Sequence, residues 1–319
     1  MGASWCWARA SPSATTRTTT NNVLDQPPSW DLLADLELLL RFHFMQNAMV
    51  VGTVVAILAG TVGYFVVLRG QSFAAHMLSQ VGFPGAAGAV LLGMPPVVGL
   101  LAFCVAAALG INAAGSGVGA GRRRESAAVG SILAFALGLG LLFFNLTAGG
   151  AQAIYAFLFG TILGITDGDV AVVLATAAVA LVVLGAMCRP LLFASVDPAV
   201  AAARGVPVRL LSTVFLVLTA VAVAESVQVA GTLLVFALLV TPAAAAQRIT
   251  ARPYRGLLLS VVLALLFTWV GLAVAYFSNL PVGFFITTVA FATYLLVRAT
   301  PATRPLGRRG TGATVAGAT

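Results

Sequence analysis

Residues 256–277 read GLLLSVVLALLFTWVGLAVAYF, an apolar run without a charged side chain. A helix needs about 20 such residues to cross the hydrocarbon core of a bilayer, so this run is long enough to span it. Comparable runs recur along the chain between Val50 and Val297. Because backbone groups inside a bilayer must find their hydrogen bonds within the protein, the sequence predicts a bundle of transmembrane helices.

The composition supports the same conclusion. Of the 319 residues, 60% are hydrophobic and only 8% are charged, whereas a soluble domain has about 25% charged residues. The formal net charge is +8, and all 17 basic residues are arginines because the chain contains no lysine. These arginines lie between apolar runs and not on one face of a soluble domain, which argues against nucleic acid as a partner.

We predict an all-α polytopic membrane protein with about nine transmembrane helices (eight to nine) and one short cytosolic helix. The apolar segment 153–165 is too short to cross the bilayer and is predicted to be re-entrant. The predicted spans are residues 48–68, 72–92, 95–113, 126–146, 170–187, 208–224, 229–246, 256–277 and 282–297.

The distribution of charge predicts an orientation. In a nine-span chain the arginines of the connections, from Arg69 to Arg298, all fall on one side. Cytosolic loops are enriched in arginine, so the N-terminus is placed outside and the C-terminus in the cytosol. The opposite loops contain Asp167, Asp169 and Glu225, which suit a surface that attracts cations or a delivery protein. Asp169 is also suited to be the N-cap of the fifth span, and we favour that role for it.

Three regions follow from this division. Residues 1–44 form an N-terminal extension that is disordered or lies at the membrane interface. Residues 45–298 form the transmembrane domain, and residues 299–319 form a flexible cytosolic tail.

The longest cytosolic loop, residues 189–209, reads RPLLFASVDPAVAAARGVPVR and encodes a short helix with defined ends. Asp197 is suited to the N-cap and Pro198 to the first helical position, whereas Gly205 and Pro207 stop the helix. Such a helix fits into a groove of a partner subunit and can transmit motion to the membrane domain. The alternative is an interfacial helix without a partner.

His76 lies about one turn into the second predicted span, and Ser79 and Gln80 follow on the same helical face. Polar side chains within a span face the bundle interior or an aqueous path, and a neutral imidazole suits zinc and other first-row metals. The alternative is a hydrated or hydrogen-bonded histidine near the cytosolic end of the span. Two-fold association would add a second His76 to the same site.

The sequence lacks the motifs of ATP binding, of intramembrane hydrolysis and of cysteine metal sites. Without lysine the chain has no G-x-x-x-x-G-K-[ST] phosphate loop, so ATP-driven activity requires another subunit. The motifs H-E-x-x-H and G-x-S-x-G are absent, which argues against an intramembrane hydrolase. The cysteines show no metal-ligand spacing. The chain is therefore predicted to be a transport component and not an enzyme.

Three segments resemble the permease family of zinc and manganese ABC importers, and the resemblance extends over residues 44–297. The first contains the first span and its exit, GTVVAILAGTVGYFVVLRGQSFAAHMLSQVGFPGAAGA. The second is LFGTIL at Leu158 followed by VDPAVAAARGVP, and the third is VAGTLLVFALLVTPAAAAQRI from Val229. The third is the most specific, because an apolar run alone would not predict its glycine, its proline and its alanine-rich end.

The resemblance implies a prokaryotic cell-membrane protein that acts as a homodimeric or paired permease. It implies two cytosolic ATP-binding subunits, an external solute-binding protein, and zinc or manganese as the transported substrate, with no permanently bound cofactor. Asp197, Ala201 and Gly205 match the loop that grips the ATPase. His76 and Gln80, with Ser79, would line the translocation path or its gate, and His76 would contact the metal.

The family pattern D-x-x-S-H in the second span is altered here. His76 replaces the carboxylate and Gln80 replaces the imidazole, so a nitrogen ligand remains and the anionic ligand is lost. Harder ions prefer oxygen ligands, which favours zinc over manganese. Two alternatives are an ABC permease for an iron chelate or another small nutrient, and a gradient-driven secondary transporter. The latter usually has carboxylates at mid-membrane, and no predicted span has a central Asp or Glu.

Overall fold

The structure is a computed structural model that describes residues 43–115, 122–146, 160, 167–232, 235–278 and 281–299. Within these ranges all regular elements are helices and no strand occurs. The all-α prediction is thus confirmed for this part of the chain. The helices are α1 (His43–Leu68), α2 (Ser72–Leu91), α3 (Pro96–Gly115), α4 (Arg122–Leu146), α5 (Asp167–Val196), α6 (Pro198–Ala203), α7 (Val208–Ala230), α8 (Val235–Ile249), α9 (Pro253–Ser278) and α10 (Val282–Ala299).

Seven helices in the described ranges are long and apolar enough to cross a membrane: α1, α3, α4, α5, α7, α9 and α10. Each of the nine predicted spans overlaps a helix, and the span 229–246 overlaps both the end of α7 and α8. Helix α8 has only 15 residues, and α2 is not among the seven. The count of nine crossings therefore stays a prediction. The predicted N-terminal extension up to residue 42, the re-entrant segment apart from Gly160, and the tail from residue 300 lie outside the described residues.

Three predicted boundaries are wrong. Helix α5 continues through Pro190 to Val196, so the first part of the predicted loop is helical. The same helix begins at Asp167, which places Asp169 in its first turn and not at the N-cap. Helix α7 continues to Ala230, so Glu225 lies within a helix and not in an outside loop.

Helices α1 and α7 form the centre of the bundle. In the most apolar 18-residue stretch of α1, and in that of α7, 67% of the residues are buried. In the corresponding stretches of α5 and α10 the buried share is 22%. The core includes the large buried side chains Phe65 on α1 and Phe215 on α7, whose rings meet edge to face. The outer helices expose apolar residues such as Val182, which is 71% exposed. In a membrane protein this surface faces lipid, and the central helices are shielded from it.

Glycines let α1 approach two neighbours closely. A Cβ atom on Gly63 would lie 1.9 Å from the carbonyl oxygen of Leu239 on α8, and one on Gly60 would lie 2.8 Å from the Cα of Val261 on α9. Across the second contact, Ser260 donates a hydrogen bond of 2.8 Å to the Gly60 carbonyl oxygen. Because these contacts join backbone to backbone, α1, α8 and α9 form one tightly packed group.

A second group consists of α2, α3 and α4. A Cβ on Gly85 of α2 would lie 2.3 Å from the carbonyl oxygen of Gly99 on α3, and the reciprocal distance is 2.1 Å. Helix α4 packs on both α2 and α3, and α7 contacts both groups. Helices α1 and α2 are consecutive in the chain, yet they contact each other only sparsely.

One end of the bundle carries most of the described arginines and is called the arginine-rich end below; it includes Arg69, Arg209 and Arg248. There the Arg69 guanidinium donates to the Ser212 hydroxyl of α7 and lies 5.3 Å from the centre of the Phe215 ring. These contacts fix the end of α1 against the start of α7.

Candidate functional site

His76 lies in the second turn of α2 and is half-buried. Ser79 is fully buried, and its hydroxyl donates a 2.6 Å hydrogen bond to the carbonyl oxygen of His76. Gln80 is half-buried one turn further along. The three predicted path residues are thus adjacent on one helix, but the Ser79 hydroxyl proton is already used by the backbone.

The His76 imidazole has an aromatic neighbour and one unused nitrogen. Its ring packs edge to face against Phe236 of α8, with 5.5 Å between the ring centres. The Nδ1 atom is buried and has no hydrogen-bond partner among the described residues. A buried polar atom without a partner is costly, so this nitrogen is available to bind a ligand. Nδ1 makes no hydrogen bond within the described residues, and the alternative of a hydrated histidine stays open.

Phe236 also belongs to an open groove between α8 and α10, with a volume of about 670 Å³. Its lining is mostly apolar, with three threonine side chains. His76 therefore lies behind the aromatic wall of this groove. The groove is lined by Phe236, Ala237, Val240, Thr241, Ala244, Phe284, Thr287, Thr288, Phe291 and Tyr294.

A complete metal site is not formed by one copy of the described chain. No group of three or more His, Cys, Asp or Glu side chains lies close enough together in the described ranges to hold an ion. The polar side chains within one helical turn of His76 are Ser72, Ser79 and Gln80, and none of them is anionic. Any site at His76 needs ligands from elsewhere.

Helix α6 is capped as the sequence predicted. The Asp197 carboxylate accepts hydrogen bonds from the backbone N–H groups of Ala199 (3.1 Å) and Val200 (3.0 Å), and Pro198 occupies the first turn. Gly205 has a φ of 80°, a conformation that favours glycine. The N–H of Gly205 bonds to the Ala202 carbonyl at 3.0 Å, which closes the end of the helix.

One face of α6 is anchored and the other is open. Ala201 is fully buried against the bundle. Val200 on α6 is 45% exposed, and Val196 at the adjoining end of α5 is 72% exposed. Apolar side chains on an exposed helix at the end of a membrane domain are typical of a contact surface. This placement fits both a partner subunit and a membrane interface.

At the opposite end of the bundle, Asp167 joins the starts of α1 and α5. Its Oδ1 atom accepts a hydrogen bond of 2.7 Å from Asn47 and lies 2.9 Å from Nε2 of His43. The hydrogen bond from Asn47, followed by that from His43 and by the charge of His43, lowers the pKa of Asp167. The carboxylate is exposed, and its predicted role in attracting a cation or a delivery protein stays a prediction.

Sequence reasoning missed the position of Glu225. This side chain is fully buried in α7, and its Oε1 atom lies 2.7 Å from the hydroxyl of Thr176 on α5. The signal was present in the sequence, because VAVAESVQVA continues an apolar helical pattern on both sides of the glutamate. The predicted span 208–224 is therefore shorter than α7, which continues to Ala230.

Residues 41–300 match the family model described as the ABC 3 transport family. The chain belongs to this family. Among its relatives are the manganese import system permease protein ScaB of Streptococcus parasanguinis, which is 31% identical over 80% of this chain and 90% of the relative. The manganese transport system membrane protein MntC of Listeria innocua is 30% identical over 82% of this chain and 92% of that relative.

Two solved structures resemble the fold. "PsaBC from Streptococcus pneumoniae in complex with Fab" aligns with a TM-score of 0.73 and 29% identity over 83% of this chain and 94% of that chain. "An inward-facing conformation of a putative metal-chelate type ABC transporter" aligns with a TM-score of 0.58 and 16% identity over 80% of this chain and 85% of that chain. At this identity the alignment shows similarity of fold alone.

Family membership confirms part of the prediction from sequence. The chain is a multi-pass membrane protein and a permease subunit of the ABC type, and it is a transport component and not an enzyme. The resemblance on which the site residues were predicted is therefore confirmed at the level of the family.

Proposed function

We propose that this chain is the permease subunit of an ATP-driven importer of a divalent transition-metal ion, zinc or manganese. The observation that carries the proposal is the buried Nδ1 atom of His76, which has no partner among the described residues. The chain that contains this histidine belongs to a family whose members include relatives named for manganese import. The ion passes along a path that includes His76 and Gln80, with Ser79 holding the backbone of the same turn.

The energy comes from a separate ATP-binding subunit. We place that subunit at the arginine-rich end, where Val196 at the end of α5 and Val200 on α6 are exposed. Asp197 and Gly205 define the two ends of α6, and Ala201 anchors it to the bundle. The excess of arginine supports a cytosolic position for this end. An external solute-binding protein then docks at the opposite end, near the exposed Asp167 carboxylate.

A second copy of the chain completes the site. The groove between α8 and α10 exposes Phe284 (56%) and Phe291 (62%), which suit burial against a partner. A two-fold interface there places two Phe236 rings, and behind them two His76 imidazoles, near one axis. Two imidazoles with two amide side chains provide a ligand set that one copy lacks.

Two observations point to different metals for the transported ion, one to manganese and the other to zinc. The names of the relatives support manganese. The donors at the site, an imidazole and an amide without a carboxylate, suit zinc better, since manganese prefers oxygen ligands. A site of few neutral ligands also binds weakly enough for release, which a transporter requires.

Uptake of radioactive zinc and manganese into proteoliposomes tests the proposal. The vesicles contain this chain with its ATPase subunit and binding protein, and accumulation is measured with and without ATP. We expect ATP-dependent accumulation of at least one metal. Accumulation driven by an imposed proton gradient in the absence of ATP would contradict the proposal. The proton-gradient experiment is needed because Glu225 is buried within α7. The absence of a carboxylate from the predicted spans therefore no longer argues against a secondary transporter.

The change His76→Ala tests the metal path. We expect initial uptake to fall by about tenfold or more, because even changes to outer-shell groups cost metal proteins about 10–100-fold. The matched control is Phe135→Ala, which removes an aromatic ring from a position on α4 that is 72% exposed. Size-exclusion profiles must first show that both variants assemble. Unchanged uptake by the assembled His76→Ala variant would make His76 a packing residue.

A further inference from the structure

The contact between α5 and α7 contains a buried carboxyl group inside a membrane-spanning segment. Glu225 lies in the apolar window Val208–Val227 and is 0% exposed. Its Oε1 atom is 2.7 Å from Oγ1 of Thr176, and its Oε2 atom has no partner among the described residues. The proposed metal path does not use this group, which raises the question of its charge.

The hydroxyl of Thr176 has one proton and three oxygen neighbours. Besides Glu225, Oγ1 lies 2.8 Å from the carbonyl oxygen of Val172 and 3.2 Å from that of Val173. Backbone carbonyls only accept hydrogen bonds. A threonine inside a helix commonly donates to the carbonyl four residues earlier, and Thr219 on the facing helix does so with Phe215 at 2.8 Å. One proton cannot serve both the 2.8 Å contact with the Val172 carbonyl and the 2.7 Å contact with Glu225, and we assign it to the carbonyl oxygen of its own helix.

The short contact with Glu225 then needs a second proton, and only the carboxyl group can provide it. A protonated carboxyl donates from Oε1 to Oγ1 of Thr176 and leaves Oε2 as a carbonyl-like acceptor. An ionised carboxylate would instead place two acceptors against a hydroxyl whose proton is already used. It would also bring an unpaired charge into a membrane-spanning segment, which is far more costly than a neutral polar atom.

No neighbouring cation compensates a negative charge at this position. Helix α7 packs against α1, α2, α3, α5, α6 and α8. In the described parts of these helices no charged side chain pairs with Glu225, whose hydrogen-bond partner there is Thr176. The titratable side chains of these helices and of α7 itself, with the α6 cap, are His43, Tyr64, His76, Cys104, Asp167, Asp169, Cys188, Arg189, Asp197, Arg204, Arg209 and Arg248.

We propose that Glu225 is a proton-binding site that joins α5 to α7 through Thr176. The bound proton forms the hydrogen bond between Glu225 and Thr176. The packed arrangement therefore binds one more proton than an arrangement in which the Glu225 carboxylate is ionised and hydrated. Raising the pH therefore opposes the packed arrangement by mass action. The site is separate from the proposed metal path and does not require a metal.

Infrared spectroscopy of the permease assembled with its ATPase in lipid tests the charge directly. We expect the difference spectrum of wild type minus Glu225→Gln at neutral pH to contain the C=O stretch of a protonated carboxylic acid. In Thr176→Val, which removes the acceptor, this band should move to higher frequency. A carboxylate band in place of the acid band, in either comparison, would overturn the proposal. If Glu225→Gln does not assemble, the shift between wild type and Thr176→Val carries the test.

The pH dependence of ATP-driven uptake provides a second readout. Glutamine has nearly the same shape as the protonated acid, and its amide can donate to Thr176 without being able to lose a proton. We expect wild-type uptake to fall at alkaline pH more steeply than uptake by Glu225→Gln. Parallel pH profiles would overturn the link between this proton and the α5–α7 contact. Because the infrared test does not involve transport, its result is independent of which substrate the permease moves.

Discussion

The change Gly63→Ala should strongly destabilise the folded permease, although it adds one methyl group. The new Cβ would lie 1.9 Å from the carbonyl oxygen of Leu239, and a backbone atom cannot move aside as a side chain does. Overpacking of this type costs about 1–3 kcal/mol or more. For a protein of this size we expect a melting temperature lower by about 5 °C or more, measured in detergent by thermal unfolding.

The matched control is Gly185→Ala on α5, where an added Cβ meets no atom within 4 Å. Alanine has the higher helix propensity by about 1 kcal/mol, so this control should melt at or above the wild-type temperature. Equal melting temperatures for the two variants would show that α1 and α8 are not packed through Gly63.

The second large effect is expected from the double change Asp197→Ala and Gly205→Val, which removes both ends of α6. Loss of the cap costs about 1 kcal/mol, and a β-branched residue at a left-handed position costs about 1–2 kcal/mol or more. A helix of 6 residues does not tolerate both losses. We expect ATP hydrolysis to continue while ATP-dependent metal uptake is lost.

A conservative double variant separates the cap geometry from the identity of the residues. Asparagine is as good an N-cap as aspartate and tolerates the left-handed conformation, so Asp197→Asn with Gly205→Asn should keep uptake coupled. Coupled transport by the Ala/Val variant would contradict the role of α6 in transmitting motion. Both variants must first be shown to assemble in the membrane.

The parts of the fold that could be predicted from the sequence depend on local rules. The ends of α6 followed from Asp197 and Gly205, because capping needs only residues a few positions apart. The helices followed from apolar runs, but their ends did not. Helix α5 extends past Pro190 because its last turns pack on the bundle through Leu191 and Ala194, which are buried, and such tertiary contacts leave no local signal.

The candidate site was predictable only as a set of residues. The position of His76 within a helix followed from spacing, but its contact with Phe236 joins residues 160 positions apart in the chain, which spacing cannot predict. Glu225 was misplaced for a related reason. A charged residue ordinarily ends an apolar run, and its burial here depends on Thr176, which lies 49 positions earlier.

The division of the bundle into two packed groups has a consequence for how the affinity for an ion can change. The connection between α1 and α2 contains Gly70 at a φ of 68°, a joint that can bend with little steric cost. His76 and Phe236 face each other across the boundary between the groups. Rotation of one group against the other would separate the His76 ring from Phe236 and expose the imidazole to water. Under the proposed function, water would then compete with the metal ion for the imidazole, so such a motion would lower the affinity for the ion without replacing any ligand.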